Sequence, residues 1–534
     1  MHRRLGAVLL IVLISVTVLP TPVSAAEAQP PDPETDQLGW EGGYWYNESI
    51  TVDQSDGLSD EELDAIVSRA MARVEHIRQL EFNQTVPVTL QSREEFAAEQ
   101  RNRTTSPTLR VFDNAKFEAL FMINESTDSI HVQERNAGSS ILGYYHRGKD
   151  AIVLIANDQS QLEVDELVLG HELVHALQDQ HFPPVTYGNM TRDDVNAASG
   201  IVEGDPKFVE HRYRERCQGG VWDGTCVSPA SSSGGGSLAN IGPYFLKYQP
   251  YADGPTFVNY VYSRGGWPAV NDVYEQPPVS SEQVIHPGKY GVDRPANVTL
   301  GDHTSDSWER VRPDGRPDYA EFGEAGMMTM FVYPIYDSNG RTQIVPLSNW
   351  LNRTPSGGLN QFDPLNYGSP YTAGWDGDRL HVYENDLDQT AYTWRSVWDS
   401  ESDAIEFADG YRQVLAYHEA EQVAPDTYRI DSGGFEDAFH LDVDGNAVTI
   451  VNAPSVNELS TVRTNVTVQT TTPITTTEPT PVNQADDPTP KSPATSMIPP
   501  KTTSVAVTTS PGQPGFGILL VVAMLAIALW LRRS

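Results

Sequence analysis

Basic side chains are scarce: the 534 residues hold 36 Lys and Arg against 72 Asp and Glu, a formal net charge of −36. A surface of that sign repels the phosphates of nucleic acids and anionic lipid headgroups, so neither is expected as a partner. The same composition suits a protein that stays soluble in concentrated salt. Cysteine is nearly absent. The two that occur, Cys217 and Cys226, flank the short stretch QGGVWDGT. In an oxidising compartment they would close a small loop, and in a reducing one they would stay thiols. Long apolar runs occur only at the two ends, and neither reaches the ~20 residues of a spanning helix.

What is present centres on residues 157–179, NDQSQLEVDELVLGHELVHALQD. Ser160 followed by Glu163 reads as a capping box that opens a helix. Leu162, Leu169, Leu173 and Leu177 recur at helical spacing and give it an apolar face. His171 and His175 then lie one turn apart and project the same way. Two imidazoles so placed can hold one Zn²⁺, with Glu172 beside the water that completes the site. A catalytic zinc takes a third protein ligand and keeps one open position. Glu203, 28 residues after His175 and on the next helical stretch, is the expected third ligand, with His181 or Glu210 as substitutes. Asp205 or Asn196 is expected to hydrogen-bond a ligating imidazole from behind.

The N-terminus sets the compartment. A basic start (Met1 to Arg4), an apolar run over 5–19 and the small residues Val23-Ser24-Ala25 read as a secretory signal peptide, residues 1–25. From 460 to 513 the composition shifts to Thr, Pro, Ser and Val, an unfolded stalk suited to O-glycosylation. Residues 514–534 follow, with Pro514, Gly515 and Phe516, a short apolar run and terminal arginines. N-glycosylation sequons begin at Asn47, Asn83, Asn102, Asn124, Asn189, Asn297, Asn352 and Asn465, as fits an exported chain.

Between these ends the pattern is α+β. Ser59 to Glu62 is a capping box before a helix whose face carries Leu63, Ile66, Val67, Ala70, Met71, Val74 and Ile77. Strands are expected over 86–90, 129–133, 141–145 and 151–155, and helices over 92–100, 193–202 and 207–217. The stretch SPASSSGGGS at 228–237 is a break and a candidate lid or boundary. It separates an N-terminal region, 26–230, from a C-terminal α+β region, 231–459. In the second, helical patterns span 255–270, 321–333 and 400–417. Strands are expected over 380–383 and 391–397, and a hairpin over 438–451 turns at Asp444-Gly445-Asn446.

With HELVHALQDQHF followed by E-G-D at 203–205, the chain resembles the gluzincins, zinc metalloproteases whose third ligand is a Glu on the next helix. It looks most like an uncharacterised archaeal and bacterial branch, and the likeness runs over 141–415. Its stretches are the G-G-W at 265–267, PPVSSEQVIHP at 277–287, 321–326, 374–380 and 394–404. Relatives more often read E-G-D-A, whereas Pro206 stands here after Asp205 and should restart a helix. The resemblance implies a zincin-like core, a small sheet with the H-E-x-x-H helix and its ligand helix. It also makes His286, Tyr290 and Arg379 candidate donors to a tetrahedral oxyanion. The tail resembles the PGF-type sorting signal of haloarchaeal surface proteins, which implies processing by an archaeosortase and attachment of a stalked ectodomain to the outer face of the membrane.

The expectation is thus a cell-surface zinc peptidase hydrolysing peptide or protein substrates, with Glu172 as general base. The alternative is a non-catalytic envelope or adhesion protein that keeps such a fold. Glu172 separates them, since binding needs only ligands and hydrolysis needs the base.

Overall fold

The computed structural model describes residues 31–466, apart from 102–103, 157–162, 223 and 230–236. The expected signal peptide, residues 467–513 of the expected stalk and Pro514-Gly515-Phe516 lie outside the described residues, as do Ser160, Asn102 and most of the 228–237 break. The first residues of the expected stalk, 460–466, are instead folded: a helical turn at Leu459–Val462 and the side chains of Val462 and Val466 are buried against the large sheet. No helix among the described residues is long and apolar enough to cross a membrane.

A tight hairpin, β1 (Trp40–Glu41) and β2 (Tyr44–Trp45), packs on the first long helix, α1 (Asp60–Arg78). Ser59 caps α1: its hydroxyl accepts from Glu62 N while the Glu62 carboxylate takes the Ser59 N–H, so two otherwise orphaned amides are satisfied. Ile66, Val67, Ala70, Met71, Val74 and Ile77 are buried along its inner face, as the spacing predicts.

Next come β3 (Val88–Ser92), α2 (Arg93–Arg101), α3 (Pro107–Glu118), α4 (Ser129–Ser140), β4 (Gly143–His146) and β5 (Ala151–Ala156). The three strands form a sheet in the order β3-β5-β4, parallel between β3 and β5 and antiparallel between β4 and β5. β5 is apolar throughout because it is central, and among the described residues no strand pairs with the outer edge of β4. The strand expected at 129–133 is instead the first turn of α4. Asp128 caps it by accepting from His131 N, and Ser129, Val132, Asn136 and Ser140 are buried at helical, not alternate, positions.

The motif helix α5 (Glu166–His181) starts later than its sequence signals imply. Asp165, not Ser160, is the cap, and its carboxylate accepts from Leu167 N at 2.9 Å. α6 (Arg192–Val202) and α7 (Gly204–Gln218) follow almost without a gap. α8 (Ile241–Val273) runs 33 residues, with a break in helical geometry at Gly266, whose φ of 64° favours glycine. The short α9 (Ser281–Ile285) leads to β6 (Glu309–Arg310), α10 (Gly323–Asp337), α11 (Leu347–Trp350), β7 (Trp375–Glu384), β8 (Thr390–Trp398) and α12 (Glu401–Tyr417). Then come β9 (Glu421–Ala424), β10 (Thr427–Arg429), β11 (Ala438–Asp444) and β12 (Ala447–Ala453). Strands β6 to β12 make a seven-stranded antiparallel sheet, ordered β6-β7-β8-β12-β11-β10-β9. The fold is mixed α+β.

Two main cores lie on either side of α8. Its first half supplies Tyr244, Phe245, Leu246, Tyr248 and Ala252 to a core shared with α3, α10, α12 and the large sheet. Its second half supplies Phe257, Val258, Val261, Trp267 and Val270 to a core shared with α1, α5, α7 and the small sheet. Cys217 and Cys226 are bridged at a Cα separation of 5.7 Å. Among the sequons, Asn83, Asn189, Asn297 and Asn465 are exposed, whereas Asn47 is buried and leaves no room for a glycan in the folded chain.

What fixes α5 is its first residue. The Glu166 carboxylate is fully buried and accepts from Arg69 Nη2 (2.8 Å), Arg73 Nη1 (2.8 Å), Tyr213 Oη (2.6 Å) and Val227 N (2.7 Å). That one group joins α1, α5, α7 and the segment after Cys226. Glu166→Gln keeps the shape but leaves two buried arginines without a counter-charge. It is expected to cost about 3–5 kcal/mol, the usual penalty for breaking a buried pair. A urea midpoint unchanged by the substitution would show that the network carries no such weight.

Candidate metal centre

His171 and His175 are one turn apart on α5, and Glu203 sits at the junction of α6 and α7. Their ring centroids are 5.0 Å apart, and His171 Nε2 and His175 Nε2 lie 3.6 and 3.4 Å from the same oxygen, Glu203 Oε2. One donor atom from each residue falls within 4.8 Å of the other two. Glu203 Oε2 is buried and makes no hydrogen bond, and separations of 3.4–3.6 Å are too long to count as one. They do suit a shared cation: donors about 2.0–2.1 Å from a tetrahedral zinc stand roughly 3.3–3.4 Å from each other. Two imidazoles and a carboxylate are also a donor set that zinc accepts.

Backbone contact places Glu203. A Cβ at Gly204 would lie 2.6 Å from the Gly254 carbonyl on α8, and one at Gly254 would lie 2.8 Å from Gly204 Cα and from Gly200 O. Helix thus meets helix with no side chain between, and Glu203 is pushed toward α5. Pro206 does not open the new helix as expected: α7 begins at Gly204, with Glu203 and not Asp205 as the boundary residue, and Pro206 sits third, in the first turn where its missing N–H is tolerated. Because Pro206 has no N–H, the carbonyl four residues earlier, Val202 O, is left free. Gln178 Nε2 takes it at 2.8 Å and also donates to Tyr274 Oη at 2.8 Å. Tyr274 in turn donates to Asp205, which is ion-paired with Arg78.

With both amide protons committed, Gln178 can offer only Oε1 to His175 Nδ1, 2.8 Å away. The proton of neutral His175 is thereby held on Nδ1, and Nε2 presents its lone pair toward Glu203. Glu210 faces the other side of His171, with Oε2 3.4 Å from Nδ1, while Lys207 and Arg214 hold the carboxylate. It lies outside the His171, His175 and Glu203 group. His181, the other substitute, binds Glu81 O at the end of α5. Asn196 donates to Leu246 O and touches neither imidazole, and Asp205 reaches His175 only through Tyr274 and Gln178.

The electrostatics are those of a charged cluster in a dry place. Burial pushes both imidazoles down, but the Glu203 and Glu210 carboxylates outweigh it at His171, and Glu203 carries His175 up to about 9. Burial also works against charge on Glu203, yet the two imidazoles hold it well below the usual carboxylate range.

The cluster opens on a cleft of 340 Å³, walled by Tyr144, Tyr145 and Arg147 on one side and by Phe182, Pro183, Val185 and Tyr187 on the other. Glu172 lines it, with Oε2 held at 3.0 Å by the backbone N–H of Tyr145 on edge strand β4. Tyr251 of α8 closes one end, its ring stacked on His171 at 6.3 Å. Burial, and then the charge of Glu203 beside it, push its hydroxyl pKa well up.

The three expected oxyanion donors are elsewhere. His286 Nε2 lies 3.0 Å from Glu324 Oε2, Tyr290 packs edge-on against Phe257, and Arg379 pairs with Glu321 over the Tyr319 ring. None lines the cleft. Tyr251 and Gln178 escaped the sequence reading. Gln178 had a local signal, since it stands three residues after His175 on the same helical face. Tyr251 had none, because α8 reaches the site from nearly 50 residues beyond Glu203.

Residues 309–463 match a domain of unknown function, DUF8575. That segment holds the seven-stranded sheet and lies apart from the metal-centre residues. No curated protein and no solved structure matches the chain.

Two outcomes follow from this geometry. Gln178→Leu is expected to weaken zinc affinity about 10–100-fold, the usual cost of losing an orienting partner, and competition with a chelator measures it. In the metal-free protein the His175–Glu203 pair acts through a raised imidazole pKa. Its stability is complete below pH ~6.5, the ordinary value, and is lost as pH rises through about 9. The urea midpoint of wild type minus that of His175→Asn should therefore fall between those values. A difference flat across that window would remove the ion pair from the account.

Proposed function

We propose that this chain is a zinc-dependent peptidase with a zincin-like core, exported and tethered at the cell surface. The observation that supports it most is the convergence of His171, His175 and Glu203 on one buried point with Glu172 beside it, in a cleft bounded by an edge strand. His171, His175 and Glu203 would hold the ion. Bound zinc would supply the Lewis acid that polarises the scissile carbonyl and acidifies the attacking water.

The chain's own residues do the rest. An extended peptide adds along β4, the edge strand that lines the cleft and whose Tyr145 N–H is already given to Glu172. Glu172, steadied by the Tyr145 N–H, accepts the proton of the attacking water and delivers it to the leaving amine. Tyr251, its ring stacked on His171 and its hydroxyl hydrogen-bonded to Glu203, would turn its O–H to the oxyanion once Glu203 holds the ion, the role expected of His286 from sequence. Gln178 keeps His175 in the ligating tautomer, and the Glu210 carboxylate faces His171 Nδ1. Export and tethering rest on the N-terminal apolar run, the sequons, the Thr/Pro-rich stretch and Pro514-Gly515-Phe516.

Glu172→Gln is nearly isosteric, spares all three ligands and cannot act as a base. Peptide hydrolysis by the full chain in high salt should fall roughly 10²–10⁴-fold with zinc content unchanged. Wild type and variant equally inert with zinc bound would reject the peptidase reading in favour of a binding protein.

A further inference from the structure

A cavity of 120 Å³ borders the cleft, with Ile141 and Tyr251 lining both. Its wall on α8 is a ladder of rings. Tyr244, Tyr248 and Tyr251 share one helical face, stacked with centroids 5.8 and 5.9 Å apart and planes within 16° and 14° of parallel. The ladder ends on His171, which stacks on Tyr251.

Lys247 of α8 also lines the cavity, and the facing wall is α4, where Gln133 Nε2 donates to Asp113 Oδ2 and Ser129 O and the other polar groups are likewise engaged. Asn136 Nδ2 donates to Asn240 O, Asn136 Oδ1 accepts from Ala239 N and Asn240 N, and Ser140 Oγ donates to Asn136 O. A polar guest entering between these walls would give up water without replacement from Asn136 or Ser140. An apolar guest would instead release water, roughly four molecules at ~30 Å³ each, and lie against ring surface.

We propose that this cavity is a specificity subsite for one large apolar side chain, aromatic or branched aliphatic, of the peptide bound in the cleft. It rests on the peptidase reading and adds a substrate class to it. Because the wall is continuous with ligand His171, the preferred side chain stands at a fixed distance along the chain from the cut.

The zinc-loaded full chain is incubated with a randomised peptide mixture, and cleavage sites are read by mass spectrometry. One position relative to the cut should be enriched ~10-fold or more in Phe, Tyr, Trp or Leu over Gly and Ser. Ala137 lines the cavity from α4, so Ala137→Trp should fill it and abolish that enrichment, and Ala137→Val should shift it from aromatic to smaller aliphatic side chains. Cleavage with no enriched position overturns the subsite and leaves the peptidase reading standing. So does wild-type enrichment in Ala137→Trp with zinc content and melting temperature intact. If Ala137→Trp fails to fold, Ala137→Val decides, and unchanged aromatic enrichment there overturns the subsite. A wild type that cleaves nothing overturns the peptidase reading and the subsite together.

Discussion

A single buried carboxylate, Glu166, holds the rest of the structure in place. It lies at the N-terminus of α5, where the helix dipole already favours negative charge, and it faces two arginines that have no access to water. Moving α5 by even part of a turn relative to α1 would separate these charges in a medium that cannot solvate them. An apolar contact tolerates sliding, and this one does not. The positions of His171 and His175, five and nine residues further on, inherit that fixed origin.

The third side of the centre is fixed by the opposite means, the removal of side chains. Gly204 and Gly254 let two backbones touch, and a proline that cannot donate at position 206 releases the Val202 carbonyl. Gln178 accepts that offer and is thereby committed, through its other proton and its oxygen, to Tyr274 and His175. Pro206 on α7 thus acts, through the carbonyl it frees and Gln178, on the tautomer of His175 on α5.

The large sheet takes no direct part in the centre. It buttresses the first half of α8, the half that carries the tyrosine ladder and brings Tyr251 against His171. The segment that matches a known domain and the segment that carries the candidate chemistry are therefore different parts of the chain, joined through one long helix packed into both cores.

Some of this is a property of the sequence alone. The i, i+4 spacing of His171 and His175 places both on one face of any helix that contains them, with Glu172 beside them, and Ser59, Ser400 and Asp444-Gly445-Asn446 act on amides and turns within a few residues. Glu203 was legible as a partner of the two histidines because one connection, residues 182–191, and one short helix separate it from α5. The helix at 129–140, the start of α5 at Glu166, the contacts of Gln178 and Glu210 with the imidazoles, the burial of Asn47 and the presence of Tyr251 but not His286 at the cleft were decided by tertiary structure. Each depends on which distant surface a segment is pressed against. Spacing along a chain specifies which way a side chain leaves its own helix or strand, and only packing specifies what it meets there.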